Sequence, residues 1–138
     1  SELVERARLG PYSCLEGSDL EESALEAARR NLEAAGLRDA VLVRGDALSP
    51  PPVGGVTLVI TNPPMGRRVH RRADLGDFLD RFVAHAAEVL RPGGRLVWIS
   101  PHPEQNLEAA ERAGLSAELR RSVDMGGFRA ELQRLRKR

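Results

Sequence analysis

The segment Thr61-Asn62-Pro63-Pro64-Met65-Gly66 carries the residues best suited to chemistry. It follows Val56 to Thr61, an apolar, β-branched run that reads as a buried strand. Two consecutive prolines lack the N–H groups needed to continue a ladder, so the strand must end there in a rigid turn. The side-chain amide oxygen of Asn62 and the backbone carbonyl of Pro63 are two fixed acceptors, and together they can hold both hydrogens of an exocyclic amino group. Held that way, the nitrogen presents its lone pair to an electrophilic methyl carbon. The same acceptors stabilise the positive charge that develops on nitrogen during in-line displacement, so no strong base is required. The plainer reading is a strand-to-loop turn with no ligand.

Two aspartates also stand just after strand-like runs, which is where open α/β sheets bind ligands. In Gly17-Ser18-Asp19 the carboxylate can accept hydrogen bonds from both hydroxyls of a ribose, or it can simply cap the helix after it. In Gly45-Asp46-Ala47 the carboxylate can accept from an adenine amino group while the small Ala47 leaves room for the ring. Alternatively, Asp46 is an ordinary turn residue.

The elements that must position these residues are legible from periodicity. Leu25, Ala28, Leu32 and Ala35 recur at helical spacing and Gly36 supplies a stop, which predicts an amphipathic helix over about residues 22–35. Leu79, Phe82, Ala86 and Val89 mark a second helix, ended by Arg91-Pro92-Gly93-Gly94, and a third runs from about Pro103 to Ala113. Strands are predicted at Tyr12 to Ser18, Ala40 to Arg44, Val56 to Thr61 and Arg95 to Ser100. The continuous apolar character of the last two predicts cover on both faces. Strand then helix, repeated, implies a parallel sheet with right-handed crossovers. Ser116 to Val123 and Ala130 to Leu135, around Asp124-Met125-Gly126-Gly127, predict an antiparallel hairpin at the end. Ser1 to Gly10 reads as the body of a helix with its glycine stop. With nothing before it, the chain is expected to be truncated.

Composition narrows the classes. With 138 residues, 41% hydrophobic and 30% charged, residues 1–138 are expected to form a single domain. Leu58-Val59-Ile60 is far shorter than the roughly 18 residues that span a bilayer. A lone Cys14 offers no internal disulfide or cysteine-based metal site, which points to a reducing, cytoplasmic setting. His70, His85 and His102 lack metal-ligand spacing, so no metal is expected. Trp98, inside a buried strand, reads as core rather than as a platform for a base. Net charge is only +1, and Lys137 is the single lysine. Arg67, Arg68, Arg71 and Arg72 cluster beside the proline turn, where they can contact nucleic-acid phosphates or form a solvated loop balanced by Asp74, Asp77 and Asp80. Arg134, Arg136, Lys137 and Arg138 read first as a frayed, soluble end and second as an RNA contact.

Asn62-Pro63-Pro64-Met65 resembles the catalytic Asn-Pro-Pro-aromatic motif of S-adenosylmethionine-dependent amino methyltransferases. Continued through Gly66-Arg67-Arg68, it is most similar to the RNA methylases whose catalytic domain is usually joined to a THUMP RNA-binding domain. Those enzymes commonly make N2-methylguanosine in transfer or ribosomal RNA. Gly17-Ser18-Asp19-Leu20 and the helix through Ala27 to Leu32 are similar to that family's ribose-binding segment, Gly45-Asp46-Ala47 to its adenine-binding one, and Leu90 to Leu96 to the turn before its fifth strand. The resemblance implies a Rossmann-like class I methyltransferase fold, a mostly parallel doubly wound α/β sheet ending in an antiparallel hairpin. It implies S-adenosylmethionine as cofactor, bound by Asp19, Leu20, Asp46, Ala47 and Asn62. Asn62, Pro63, Pro64 and Met65 become catalytic, and Arg67, Arg68, Arg71 and Arg72 face RNA.

Two departures from the family pattern stand out. Its first strand and glycine-rich loop should precede Ser1 and are missing, which leaves a gap in the sheet, and no THUMP-like segment is present. Met65 stands where many members carry an aromatic, so part of the roughly 1–3 kcal/mol of base stacking is lost. The expected reaction is methylation of an exocyclic amino group of an unstacked base in structured RNA, guanine N2 first. Adenine N6, a protein glutamine amide, and a non-catalytic methyltransferase-like RNA-binding module are the alternatives.

Overall fold

A computed structural model of the protein describes residues 14–49, 55–63 and 72–138. In chain order these form β1 (Glu16–Asp19), α1 (Glu22–Ala34), β2 (Val41–Arg44), β3 (Val56–Thr61), α2 (Arg72–Val89), β4 (Leu90–Ser100), α3 (Pro103–Arg112), β5 (Leu115–Asp124) and β6 (Arg129–Lys137). They belong to two compact units, one ending at Ala47 and the other running from Leu48 to Arg138. The alternation of strands and helices is that of the expected α/β class. The sheet hydrogen bonding is interrupted: β1 pairs with β2, and β3-β4-β6-β5 form a second sheet.

In the first unit β1 and β2 are parallel, with Glu16 opposite Val41 and Asp19 opposite Arg44. Such a pair needs a crossover, and α1 supplies it. Leu25 is the buried residue of α1. The helix ends where Gly36, at φ +77°, turns the chain so that the Leu37 amide bonds the Leu32 carbonyl at 2.8 Å. The first strand is shorter than predicted. Tyr12 lies outside the described residues, while Cys14 and Leu15 precede the strand; even so, the Val41 amide still reaches the Leu15 carbonyl at 2.9 Å.

In the second unit β3 and β4 are parallel, and β6 lies antiparallel to both β4 and β5, so the sheet closes on the predicted hairpin. At its tip the Asp124 side chain accepts the Gly126 amide at 2.9 Å, and both Gly126 and Gly127 have positive φ. Helix α2 starts earlier than its predicted core, because Leu75 continues the pattern of Leu79, Phe82 and Ala86 toward the N-terminus. Its apolar face joins Leu96, Trp98, Leu115 and Leu135 in one core. Trp98 stacks obliquely on Phe82, with ring centroids 5.9 Å apart, and donates its indole N–H to Gln133 Oε1 at 2.9 Å.

Three expectations are corrected. Leu58 and Ile60 of β3 are 49% and 73% exposed, not covered. Helices α2 and α3 bury the face that carries Leu96, Trp98 and Leu135, and no described helix of this unit covers the other. Arg91 to Gly94 lies inside β4 as an outward excursion, since Val56 pairs with Leu90 and Leu58 with Arg95. A Cβ on Gly94 would stand 2.9 Å from the Arg91 carbonyl oxygen and 3.0 Å from that of Val56, so only glycine fits.

The basic C-terminus is structured rather than frayed. Lys137 Nζ donates to the carbonyls of Ala87 and Leu90 at 2.5 and 2.7 Å, a cation at the C-terminal end of α2 where the helix dipole favours it. Arg138 Nη2 donates to the Glu111 carbonyl at 3.0 Å. Arg136 Nη1 lies 3.4 Å from Glu118 Oε1. Arg134 Nε lies 3.1 Å from Glu118 Oε2 without the alignment of a hydrogen bond. Among the described residues no helix is long and apolar enough to cross a membrane.

Candidate active site

The carboxyl edge of the first unit is assembled by the β1–β2 pair. Asp19 closes β1 and Arg44 closes β2 directly opposite, so the residues after both strands leave the sheet side by side. The Gly45 amide donates to the Asp19 carbonyl at 3.0 Å, and Arg44 Nε donates to the Leu20 carbonyl at 3.1 Å. These bonds place Asp19-Leu20 next to Gly45-Asp46-Ala47. Asp19 Oδ1 accepts the Glu21 amide at 2.8 Å, which fixes the carboxylate at the approach to α1, whose N-cap is Glu21 and not Asp19. Asp19 therefore serves the helix start with one oxygen, while its other oxygen accepts nothing among the described residues.

Asp19, Leu20, Asp46 and Ala47 are all exposed, Leu20 at 56%. Two carboxylates stand at one sheet edge, and their oxygens can accept hydrogen bonds from the hydroxyls of a ribose and the amino group of an adenine. The bare Leu20 side chain offers apolar surface to a ring. This combination of acceptors and apolar surface fits the nucleoside half of S-adenosylmethionine. Among the described residues no three of His, Cys, Asp or Glu gather closely enough to hold a metal ion.

In the second unit the corresponding edge is the end of β3. Thr61 pairs with Trp98, so Asn62 and Pro63 emerge beside Ile99 and Ser100 of the neighbouring parallel strand. Pro63 is buried and Asn62 exposed, and no hydrogen bond joins the Asn62 side chain to another described residue. A buried proline anchors the turn, leaving the amide before it available to a ligand. Pro64, Met65, Arg67, Arg68 and Arg71 lie outside the described residues, and Arg72 opens α2 rather than standing in a loop.

Sequence reasoning missed a polar cluster beside this turn. Ser100, the last residue of β4, donates its hydroxyl to Asn106 Oδ1 at 2.6 Å, and Asn106 Nδ2 donates to Asp80 Oδ1 at 2.7 Å. Ser100 and Asn106 are fully buried. The available signal was Asn106 itself, which shares the helix face of Ala109 and Ala110 at i+3 and i+4 and so stands as a polar residue at a core position. A second missed cluster, further along the sheet, joins Arg120 to Glu131 at 2.7 Å and to Glu104 at 2.5 Å. The Arg120 guanidinium, reinforced by the Gln133 amide, holds the Glu131 carboxyl below the usual glutamate range against an opposing effect of burial.

A family model described as the RMKL-like methyltransferase domain matches residues 2–131. Among curated proteins, the tRNA (guanine(6)-N2)-methyltransferase of Archaeoglobus fulgidus is 35% identical over 105 residues, 75% of this chain and 26% of its own length. Among solved structures, TrmN from Thermus thermophilus aligns with a TM-score of 0.75 and 29% identity over 94% of this chain and 38% of that one. A geranyl diphosphate methyltransferase in complex with SAM, 15% identical, aligns with a TM-score of 0.67 over 92% of this chain and 70% of its own, which shows the shared fold alone. The chain thus spans about a quarter of the curated relative and 38% of the TrmN structure.

Proposed function

The chain belongs to the RMKL-like methyltransferase domain family, and we propose that it moves a methyl group from S-adenosylmethionine to an exocyclic amino group of a base in RNA, guanine N2 in transfer or ribosomal RNA. The observation that carries this reading is the carboxyl end of the parallel strand β3, where an exposed Asn62 is followed directly by a buried Pro63. The match to a tRNA guanine-N2 enzyme over 75% of the chain supports guanine as the acceptor.

Bound S-adenosylmethionine supplies an electrophilic methyl on a sulfonium. Asp19 accepts hydrogen bonds from the ribose hydroxyls and Asp46 from the adenine amino group, with Leu20 and Ala47 against the ring. The Asn62 side-chain oxygen and the Pro63 carbonyl accept the two amino hydrogens of the target base and hold its nitrogen for attack. While the carbon–nitrogen bond forms and the methyl–sulfur bond breaks to leave a neutral thioether, these acceptors would stabilise the charge that passes to nitrogen, which then loses one proton to solvent. Pro64 stiffens the turn and Met65 packs on the extruded base. Arg67, Arg68, Arg71 and Arg72 come after the turn in sequence and contact RNA phosphates. An RNA substrate and a lone cysteine both suit the cytoplasm.

The acceptor class is tested by giving the protein in its full natural length S-adenosylmethionine with a labelled methyl group, together with unmodified RNA or a protein mixture. Label in RNA is expected. Label confined to protein would contradict the reading.

A further inference from the structure

We propose that the polar chain Ser100–Asn106–Asp80, fully buried at Ser100 and Asn106 and half-buried at Asp80, is a positioning device for the amine-holding turn at the end of β3; the inference rests on the role given above to Asn62 and Pro63. Ser100 accepts the His102 amide at 3.2 Å while donating to Asn106, and so fixes the bend between β4 and α3. Asn106 passes the constraint to Asp80 in the middle of α2, and Gln105 Nε2 closes the cluster on Asp80 Oδ2 at 2.9 Å. Three elements are thereby tied at one point. By the register of Thr61 with Trp98, that point lies abreast of Pro63 on the adjacent strand.

Stability alone does not account for the cluster. Apart from Gln133, which pairs with Trp98, the rest of the core beneath these helices is leucine, valine, alanine and aromatic, and an apolar filling would hold the fold as well. The two buried members instead specify one arrangement, because Ser100 and Asn106 are cut off from water and are satisfied only when their partners are in place. The helix is also adapted to it. Gly76 sits in the interior of α2, where glycine is less favourable than alanine, and a Cβ there would stand 2.7 Å from Gln105 Oε1. Glycine at that position makes room for the Gln105 amide on its way to Asp80.

The device acts through Asn62 and Pro63, so it affects the transfer step and not the ribose and adenine contacts on the other unit. The test compares Asp80→Ala, Asp80→Asn and Ser100→Ala in the full-length protein at a temperature where all remain folded by thermal melting. Asp80→Ala and Ser100→Ala are expected to lower kcat roughly tenfold or more while KM for S-adenosylmethionine stays within about twofold. Asp80→Asn, whose amide oxygen still accepts from Asn106, is expected to recover most of the rate. Unchanged kcat, a loss shared equally with KM for the cofactor, or an Asp80→Asn variant as slow as Asp80→Ala would each overturn the proposal. These outcomes leave the function standing as long as the unaltered protein methylates RNA. An unaltered protein that transfers no methyl group overturns both.

Discussion

Asn62 is set apart from the residues of β3 by its side-chain amide, exposed at the strand's carboxyl end and followed directly by the buried Pro63. Asn62→Ala keeps the prolines and the strand but removes one of the two acceptors. By analogy with the loss of a single group that stabilises developing charge, kcat is expected to fall roughly 100- to 1000-fold, with cofactor affinity by calorimetry little changed. Asp19 fixes the start of α1 and, in the proposed function, also binds the ribose; Asp19→Asn separates the two. The amide oxygen still accepts the Glu21 amide that sets the start of α1, while the charge facing the ribose is lost. Cofactor binding should weaken by about 1 kcal/mol, the difference between charged and neutral hydrogen bonds, and the melting temperature should hold. Both residues were legible in the sequence because each comes after a strand-like run and stands close to glycine or proline. Ser100 and Asn106 were not. Each is a single polar residue inside an apolar pattern, and only the packing shows that they meet.

Among the elements, the β5–β6 hairpin carries a titration that can be followed. Arg120 lowers the pKa of Glu131 below its ordinary value of 4.5, so the folded protein binds that proton less readily than the unfolded chain. The resulting stability is present above the ordinary glutamate range and is lost as pH falls through the folded value. Arg120 is 41% exposed, which limits the effect to about 1 kcal/mol or less by solvent screening. Denaturant unfolding should show this loss on acidification, and Glu131→Gln should flatten it. Helix periods and the hairpin turn were read correctly because Leu, Phe and Ala spacing and the Asp-Met-Gly-Gly tip are local signals. The exposure of Leu58 and Ile60 was not, since an apolar strand reports what its residues would bury and not what stands over them. Nor was the structured C-terminus. Its arginines and lysine read as a soluble tail, yet Lys137 and Arg138 find helix carbonyls and Arg134 and Arg136 find Glu118.

For the molecule as a whole, the α/β class derives from strand–helix alternation, and the family from the order of short motifs along the chain. Gly-Ser-Asp, Gly-Asp-Ala and Asn-Pro-Pro each mark the carboxyl end of a parallel strand, the edge at which such folds do their chemistry. The division into two units and two sheets has no local signature, because it depends on pairings between segments far apart in sequence. The central claim is that these edges serve transfer of a methyl group to an exocyclic amine of an RNA base. Nucleoside mass spectrometry of unmodified RNA, after incubation with S-adenosylmethionine and the full-length protein, tests it most directly. The expected product is N2-methylguanosine, absent when Asn62 is replaced by alanine; ribose- or ring-carbon-methylated nucleosides, or no methylated nucleoside at all, would overturn the proposed function.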